Sequence, residues 1–415
     1  MKKPASLRKL VTTNAAQKMG VQTAAVHAGT PPNQLTGAAA PDIVMSTTFV
    51  IDPSIAFSAD EMNDETPFVY TRWGNPTVAQ LERKLAVLEA AEDCVAFGSG
   101  VAAIAALFLH CLKTGDHMVM SDVTYAAASE FANQKLPDLG MEVTRVDTSN
   151  PENVRAALRP NTRLVYLETP VNPLLRLTDI AAVAEIAHAG GAAVAVDSTF
   201  ATPIATRPVE LGADYVVQSL TKYICGHGDA IGGALLGRTD QMNKLRTAAI
   251  HMGGIISPFN AWLIMRGATT LPIRMAAHQQ NAFAVARALE QHPKIIRVMY
   301  PGLPSHPQHE LAVRQMKNFS GMVTFQVKDG PAAAQLLSDR LRLVHYGVSL
   351  GHTRSLIAYL GTEGLMHSSF HLTPDQEKSY RVFGGDGVFR FSVGLEDAAD
   401  IIDDIDQALE PLGAQ

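Results

Sequence analysis

The sequence predicts an α/β protein, with a mostly parallel sheet in a large domain and a smaller α+β domain after it. Between residues 76 and 260, stretches with helical spacing alternate with short apolar runs, which is the pattern of β-α-β units. Runs such as LVYLE and AVAVDS begin with continuous apolar residues, as expected for strands buried on both faces. From about residue 260, longer amphipathic helices and mixed strands replace this pattern.

The elements follow one another in a regular order. The segment 76–91 begins with Pro-Thr and places Val78, Leu81, Leu85 and Leu88 at helical spacing, which predicts the first long helix. Predicted strands and helices then alternate as CVAF, GVAAIAALFLHCL, HMVM, EVTRV, PENVRAAL, LVYLE, IAAVAEIAHAG, AVAVDS, YVVQSL and GGALLG. The later domain is predicted to contain the helix FNAWLIMRGATTL, the strands MVTFQV and VFRFSVG, and a final helix over DAADIIDDIDQALEPL.

Composition narrows the class of protein. The chain has 415 residues, 34 basic and 40 acidic side chains and a net charge of -6, so we expect no nucleic-acid partner. It has no apolar run of 18 residues, so no membrane span is predicted. Cys94, Cys111 and Cys225 are far apart, which favours a reducing compartment, and residues 1–20 lack a secretory signal. We therefore expect a cytoplasmic protein that binds a small molecule or another copy of itself.

One lysine follows a predicted strand directly. Lys222 lies in SLTKYICGHGD, after the strand YVVQ, at the edge where parallel sheets place their ligands. Ser219 and Thr221 offer hydroxyl groups to a phosphate, and Gly226 and Gly228 permit a tight backbone path. A lysine in an exposed loop is the alternative interpretation of this segment alone.

A carboxylate closes another buried strand. Asp197 ends AVAVD, where it could instead be a simple turn residue. A lysine and an acid that each close a buried strand suit pyridoxal 5′-phosphate (PLP), whose ring nitrogen needs a carboxylate to stay protonated. In FGSGVAAIAAL, Gly100 and Val101 open a helix whose free N–H groups can bind a phosphate.

Ten segments, in order from residue 27 to residue 397, extend this pattern over nearly the whole chain. They are HAG (27–29), STTF (46–49), YTRWGNPT (70–77), GSGVAAI (98–104), ETPVNP (168–173), VDSTFATP (196–203), SLTKYICGHGD (219–229), YPGLPSHPQH (300–309), VSLG (348–351) and FRFSVGLED (389–397). Together they resemble the Cys/Met-metabolism family of PLP enzymes, which includes cystathionine γ-synthase, cystathionine lyases, methionine γ-lyase and O-acyl-homoserine sulfhydrylases. The resemblance implies the aspartate aminotransferase-like fold, PLP fold type I.

The resemblance implies three catalytic residues. Lys222 is expected to hold PLP and to move protons, Asp197 to pair with the pyridine nitrogen, and Tyr125 to stack on the cofactor ring. Gly100, Val101, Ser219 and Thr221 are expected to bind the phosphate, as the strand and helix ends also predict.

Four further residues are expected to contact the substrate. The resemblance implies that Arg390 binds the substrate α-carboxylate beside Asn172 and Ser349, with a two-pronged contact that only a guanidinium offers. His352, just after VSLG, is a further candidate for substrate contact.

The resemblance also implies a homotetramer built as a dimer of dimers. Tyr70 and Arg72 are expected to reach the phosphate of the neighbouring subunit. We predict an N-terminal arm (1–64) that contributes to that subunit, a PLP-binding large domain (65–258) and a C-terminal domain (259–415).

Several positions differ from the usual pattern of the family where the substrate side chain is expected. Tyr125 is followed by three alanines instead of a glycine-rich segment, and Ala127 occupies the place of the cysteine that marks methionine γ-lyases. Ser198 follows Asp197 where an asparagine is usual. His367 and His371 are four residues apart, but no metal site is predicted because the metalloprotease glutamate is missing.

The predicted reaction is γ-elimination or γ-replacement on an O- or S-substituted homoserine-type L-amino acid, a step of trans-sulfuration chemistry. Candidate substrates are O-succinyl- and O-acetyl-homoserine, methionine and canavanine; His352, Glu363 and His367 would suit the cationic leaving group of canavanine. Cystathionine β- or γ-lyase activity and transamination on the same fold are the alternatives. A ligand-sensing regulator is disfavoured because no basic DNA-binding module precedes residue 70. The sequence does not decide between elimination and replacement.

Overall fold

The computed structural model describes residues 19–33, 36–53, 67–368 and 372–413. The chain divides into two compact units. The first unit comprises residues 1–111, 207–210 and 214–272, and the second comprises 112–206, 211–213 and 273–415, in each case as far as they are described. Of the predicted arm, only 19–33 and 36–53 are described. The predicted domain boundaries after residues 64 and 258 remain predictions.

The described residues form 16 α-helices and 12 β-strands. The helices are α1 (Val21–His27), α2 (Pro76–Glu89), α3 (Gly100–Cys111), α4 (Ala126–Glu130), α5 (Leu136–Asp138), α6 (Pro151–Ala157), α7 (Ile180–Ala189), α8 (Thr202–Ala205), α9 (Thr239–Met252), α10 (Pro258–Thr269), α11 (Leu271–Gln291), α12 (His309–Gln315), α13 (Gly330–Arg340), α14 (Thr362–Met366), α15 (Pro374–Gly384) and α16 (Ala398–Leu409). The strands are β1 (Asp93–Phe97), β2 (His117–Ser121), β3 (Glu142–Val146), β4 (Thr162–Glu168), β5 (Ala193–Asp197), β6 (Tyr215–Ser219), β7 (Gly233–Gly237), β8 (Ile295–Met299), β9 (Met322–Val327), β10 (His345–Tyr346), β11 (Leu356–Gly361) and β12 (Gly387–Ser392).

The first unit contains three paired strands. Strand β7 lies between β1 and β6 and runs antiparallel to both. The sequence pattern did not reveal this reversal, because strands buried on both faces look alike in either direction. Strand β6 nevertheless ends at Ser219, so the segment around Lys222 follows a strand end as predicted.

The second unit contains four parallel strands in the order β5-β4-β2-β3. Almost every residue of β2, β4 and β5 is buried, which explains their continuous apolar sequence. At the carboxyl edge of this sheet, Glu168 of β4 is paired in register with Asp197 of β5. Two acidic residues therefore end neighbouring strands at the same edge.

The second unit also contains a separate five-stranded sheet, with the order β10-β11-β12-β9-β8. Its strands are antiparallel except for β10 and β11. Arg390 of β12 lies opposite Ala358 of β11 and Thr324 of β9. The buried rings of Phe325 and Phe389 stack beside it with centroids 5.0 Å apart. The predicted class, α/β with a mostly parallel larger sheet and a smaller second sheet, is confirmed.

Helix α2 shows how closely the local sequence sets an element. The side chain of Asn75 caps the helix by accepting the Thr77 N–H at 2.9 Å, and Pro76 occupies the first turn. Leu81, Leu85 and Leu88 are buried, as their spacing predicted. No helix in the described part of the chain is long and apolar enough to cross a membrane.

A buried acid near the end of α2 makes stability depend on pH. Glu89 is 1% exposed and accepts the Gln218 amide at 2.6 Å, and burial raises its pKa to about 8. Because the folded state holds this proton more tightly than the unfolded state, its stabilising effect is lost as the pH rises from about 4.5 to about 8.

We expect Glu89→Gln to remove this loss. Relative to the natural protein, the variant should gain stability steadily between pH 5 and pH 8, as measured by urea unfolding at several pH values. Glu185→Gln, which changes an exposed glutamate, should leave the pH dependence unchanged. Parallel curves for the Glu89 variant and the natural protein would contradict the expected protonation of Glu89.

Candidate active site

The segment around Lys222 forms a tight turn after β6. The Lys222 N–H donates to the Ser219 carbonyl at 3.2 Å, and the Gly226 N–H donates to the Lys222 carbonyl at 2.8 Å. Gly226 and Gly228 have φ angles of +74° and +71°, so both occupy the left-handed region that favours glycine. The tight backbone path predicted from these glycines is present. The Lys222 side chain is half-buried at the strand end.

A group of backbone and hydroxyl groups lies near this turn in the first unit. A Cβ on Gly233 would lie 2.2 Å from the Ser99 carbonyl oxygen, and one on Gly100 would lie 3.2 Å from the Ser219 hydroxyl. Glycine is therefore needed for β7 and α3 to approach each other. The Ser99 hydroxyl accepts the Ala102 N–H at 3.1 Å.

The same group contains both predicted phosphate hydroxyls. The Thr221 hydroxyl accepts the Gly232 N–H at 3.1 Å and donates to its carbonyl at 3.2 Å, which fixes the returning chain. Gly100 and Val101 belong to the first turn of α3, where N–H groups lack helical partners. Gly100, Val101, Ser219 and Thr221 thus lie near one another. The N–H groups of the first turn of α3 and the Ser219 hydroxyl fit a phosphate, whereas the Thr221 hydroxyl donates its proton to the Gly232 carbonyl.

Tyr70 and Arg72 lie in the same unit, with the Arg72 guanidinium close to the Tyr70 ring. The Arg72 guanidinium donates to the Ile250 carbonyl at 2.7 Å and lies 5.7 Å from the centre of the Tyr70 ring. Tyr70 is 43% exposed. Their expected contact with a neighbouring subunit remains a prediction.

In the second unit, Asp197 is a buried carboxylate with two neutral donors. One oxygen accepts the Thr199 N–H at 3.0 Å and the other accepts the Tyr166 hydroxyl at 3.3 Å. Burial raises the pKa of Asp197, and the hydrogen bonds from Thr199 and Tyr166 oppose this increase. A buried carboxyl group held by these neutral donors fits the protonated ring nitrogen of PLP.

Glu168 ends the neighbouring strand and was assigned no role from the sequence. One of its oxygens accepts the Tyr125 N–H at 2.6 Å, and the other accepts the Asn172 N–H at 2.9 Å. Burial first, and the charge of Asp197 second, raise the pKa of Glu168. The sequence signal was an acid closing a buried strand, which is the same signal that identified Asp197.

The predicted substrate residues of the second unit lie together. Arg390 donates to the Asn172 side-chain oxygen at 3.3 Å and to the Ser349 carbonyl at 3.2 Å. The Ser349 hydroxyl lies 3.2 Å from Nε2 of His352. Ser349 has a φ of +83°, a strained conformation for a residue with a side chain, and such strain is concentrated at functional sites. We call Arg390, Asn172, Ser349 and His352 the arginine clamp.

Glu363 and His367, which were considered for the leaving group of canavanine, lie near each other, and Glu363 is paired with Arg381. Glu363 forms an ion pair with Arg381 at 2.6 Å and lies 3.8 Å from His367. His371 lies outside the described residues. Among the residues that are described, no group of three or more His, Cys, Asp and Glu side chains is arranged to hold a metal.

These two sets of residues define the class of the protein. The first unit has a lysine after a strand end, near N–H and hydroxyl groups that fit a phosphate, and the second unit has a buried strand-end aspartate and the arginine clamp. Each set is of the kind expected in a PLP-dependent enzyme of fold type I. Residues 22–410 match the model of the Cys/Met metabolism PLP-dependent enzyme family. The chain belongs to this family.

Similar proteins support the assignment over almost the full length. The chain is 43% identical over 398 residues to L-methionine gamma-lyase of Porphyromonas gingivalis, covering 95% of this chain and 98% of the relative. It is 42% identical over 398 residues to canavanine gamma-lyase of Pseudomonas canavaninivorans, covering 94% and 96%. The crystal structure of metB from Corynebacterium glutamicum matches it with a TM-score of 0.87 and 36% identity, covering 96% of this chain and 100% of that one.

The family assignment decides several predictions. It confirms that the protein is a PLP-dependent enzyme, that its fold is of type I and that its cofactor is PLP. The roles of individual residues and the assembly of subunits are not decided by this comparison.

Proposed function

We propose that the protein catalyses γ-elimination on an O- or S-substituted homoserine-type L-amino acid, X-CH2-CH2-CH(NH3+)-COO-. With one water molecule, the reaction releases HX, 2-oxobutanoate and ammonium. The arginine clamp carries the proposal, because a guanidinium held by Asn172 and Ser349 is suited to an amino-acid α-carboxylate. The names of the methionine and canavanine γ-lyase relatives support cleavage at Cγ.

Lys222, Asp197 and Tyr125 have the chemical roles in this proposal. When bound, PLP withdraws electrons from the substrate α-carbon, so that its hydrogen becomes acidic. Lys222 holds the cofactor covalently, and its ε-amine, once released, takes the α-proton and then a β-proton before X leaves. Asp197 keeps the ring nitrogen protonated. Tyr125, whose side chain is 44% exposed at the start of α4, covers the ring.

The remaining predicted residues bind the phosphate and complete the assembly. Gly100, Val101, Ser219 and Thr221 bind the phosphate with N–H and hydroxyl groups. Tyr70 and Arg72 bind the phosphate of a neighbouring subunit in a homotetramer, and the exposed Tyr70 ring supports such a contact. We place the enzyme in the cytoplasm, in keeping with three free cysteines.

The most direct test is a panel of γ-substituted amino acids. Purified holoenzyme should release 2-oxobutanoate and ammonium from at least one of L-methionine, L-canavanine, O-succinyl-L-homoserine and O-acetyl-L-homoserine. Mass spectrometry of the products identifies HX, and repeating the reactions with sulfide or L-cysteine separates elimination from replacement. Transfer of the amino group without cleavage would instead establish a transaminase. L-Cystathionine is tested beside the panel, and its cleavage alone would establish a cystathionine lyase.

L-Canavanine is the second candidate that we consider, as the preferred substrate in place of L-methionine. Of the three residues considered for its cationic leaving group, His352 lies within the arginine clamp. Glu363 is already paired with Arg381. Ala127 provides no thiol where methionine γ-lyases have a cysteine. Release of hydroxyguanidine from canavanine, at a higher kcat/KM than methanethiol from methionine, supports this candidate; the reverse order removes it.

A change in the clamp should weaken substrate binding more than chemistry. Arg390→Lys keeps the charge but replaces a two-pronged donor by a point charge, which cannot donate to Asn172 and the substrate in the same geometry. We expect KM for the preferred amino acid to rise about 10- to 100-fold, the effect of losing one charged hydrogen bond. Steady-state kinetics measures this. A KM within twofold of the natural value would contradict the role of Arg390.

A further inference from the structure

Glu168 connects two segments that carry predicted functional side chains. Tyr125 stands at the start of α4, and Asn172 stands in the loop that follows β4. The Glu168 carboxylate accepts the backbone N–H of Tyr125 with one oxygen, at 2.6 Å, and that of Asn172 with the other, at 2.9 Å. Asn172 in turn receives the Arg390 guanidinium. One carboxylate thus lies between the cofactor-covering tyrosine and the arginine clamp.

The burial of Glu168 beside another acid is unfavourable, which indicates a function other than packing. Glu168 is 5% exposed and is paired in register with Asp197, so that two acids lie side by side at the sheet edge. Among the residues that the structure describes, the two backbone amides lower the pKa of Glu168, and no basic side chain does so. A buried carboxylate in such surroundings is costly, and an apolar side chain would be cheaper for packing alone.

The geometry requires two acceptors on one side chain. Each of the two oxygens of a carboxyl group can accept a hydrogen bond, whereas a carboxamide has one oxygen and an NH2 group that would face an N–H donor. Both backbone N–H groups are satisfied only by an acid at this position. Neither amide belongs to the strand that carries Glu168, so its function is to join separate segments.

We infer that Glu168 is a positioning residue that holds the Tyr125 segment and the arginine clamp in a common geometry, so that cofactor covering and substrate binding are coupled. This inference rests on the proposed roles of Tyr125 and Arg390. It assigns no proton transfer to Glu168, which acts through the two backbone segments.

Glu168→Gln in the holoenzyme tests this inference. Residue-resolved hydrogen exchange should show that the amides of Tyr125 and Asn172 are protected in the natural protein. In the variant, at least one of them should exchange faster, while the amide of Val165 in β4 stays protected. The kcat/KM for the preferred amino acid should fall about 10- to 100-fold, the effect of leaving a buried N–H group without its acceptor. Glu185→Gln, which changes an exposed glutamate of the same unit, should alter neither measurement.

A double-mutant cycle distinguishes positioning from general damage. If Glu168 acts through Asn172, then Glu168→Gln combined with Asn172→Ala should raise KM little more than Asn172→Ala alone. Additive effects on KM, or amide protection and kcat/KM that match the natural protein, would overturn the inference.

Two further outcomes keep the inference separate from the proposed function. If Glu168→Gln does not fold, hydrogen exchange of the natural protein alone decides: rapid exchange of either amide overturns the inference, and protection of both supports it. If the natural enzyme releases no 2-oxobutanoate, the proposed function fails, whereas the exchange measurement still reports on Glu168.

Discussion

Lys222→Ala should abolish the release of 2-oxobutanoate from every amino acid that the natural enzyme cleaves. The variant loses both the covalent attachment of PLP and the amine that moves protons at the α and β carbons. Positioned acid-base groups alone contribute about 10²- to 10⁴-fold to a rate, so kcat should fall by at least about that factor. The assay is ammonium and 2-oxobutanoate release under saturating substrate.

The matched control is Lys244→Ala, which removes an exposed lysine of α9 in the same unit. It should keep kcat within twofold of the natural value. Residual turnover by Lys222→Ala above about one-hundredth of the natural kcat would show that another residue performs the proton transfers.

The second large effect is expected for Asp197→Asn. Asparagine keeps the shape of the side chain, can still accept the Thr199 N–H and can still meet the Tyr166 hydroxyl, but it carries no charge. Without an anion beside it, the ring nitrogen loses its proton and withdraws electrons less strongly. We expect kcat to fall about 10²- to 10³-fold, as for the loss of one preorganised electrostatic contact in other active sites.

The variant should fold normally, because burial of the neutral amide avoids the cost of burying a charge. Its thermal unfolding therefore serves as the structural check, and its bound PLP should absorb at a different wavelength from that of the natural enzyme. Asp400→Asn, on the exposed face of α16, should change none of these properties. An unchanged kcat and spectrum for Asp197→Asn would contradict its role at the ring nitrogen.

The fold, and the places that the main candidate residues occupy in it, were predictable because strand ends are visible in the sequence. LVYLE and AVAVD are continuous apolar runs closed by acids, and they form β4 and β5 with Glu168 and Asp197 in register. The tight turn after Lys222 was likewise predicted by Gly226 and Gly228, which adopt positive φ angles.

The features that the sequence did not predict depend on which strands and which polar groups pair with each other. The spacing of residues in the sequence does not specify that pairing. The antiparallel direction of β7 is set by its neighbours and leaves no trace in an apolar run. Glu168 contacts the backbone amides of residues that are 43 and 4 positions away in the chain. Such contacts cannot be predicted from residue types, because every residue except proline has a backbone N–H. The hydroxyl of Tyr166 beside Asp197 was missed because tyrosine in a strand usually serves packing.

The covalent bond between the Lys222 ε-amine and PLP is the claim on which the others depend. Reduction of the purified holoenzyme with borohydride, followed by peptide mass spectrometry, tests it directly. The account predicts a pyridoxyl phosphate mass on the peptide that contains Lys222, at that residue and at no other lysine. An unmodified Lys222, or the added mass on a different lysine, would contradict it.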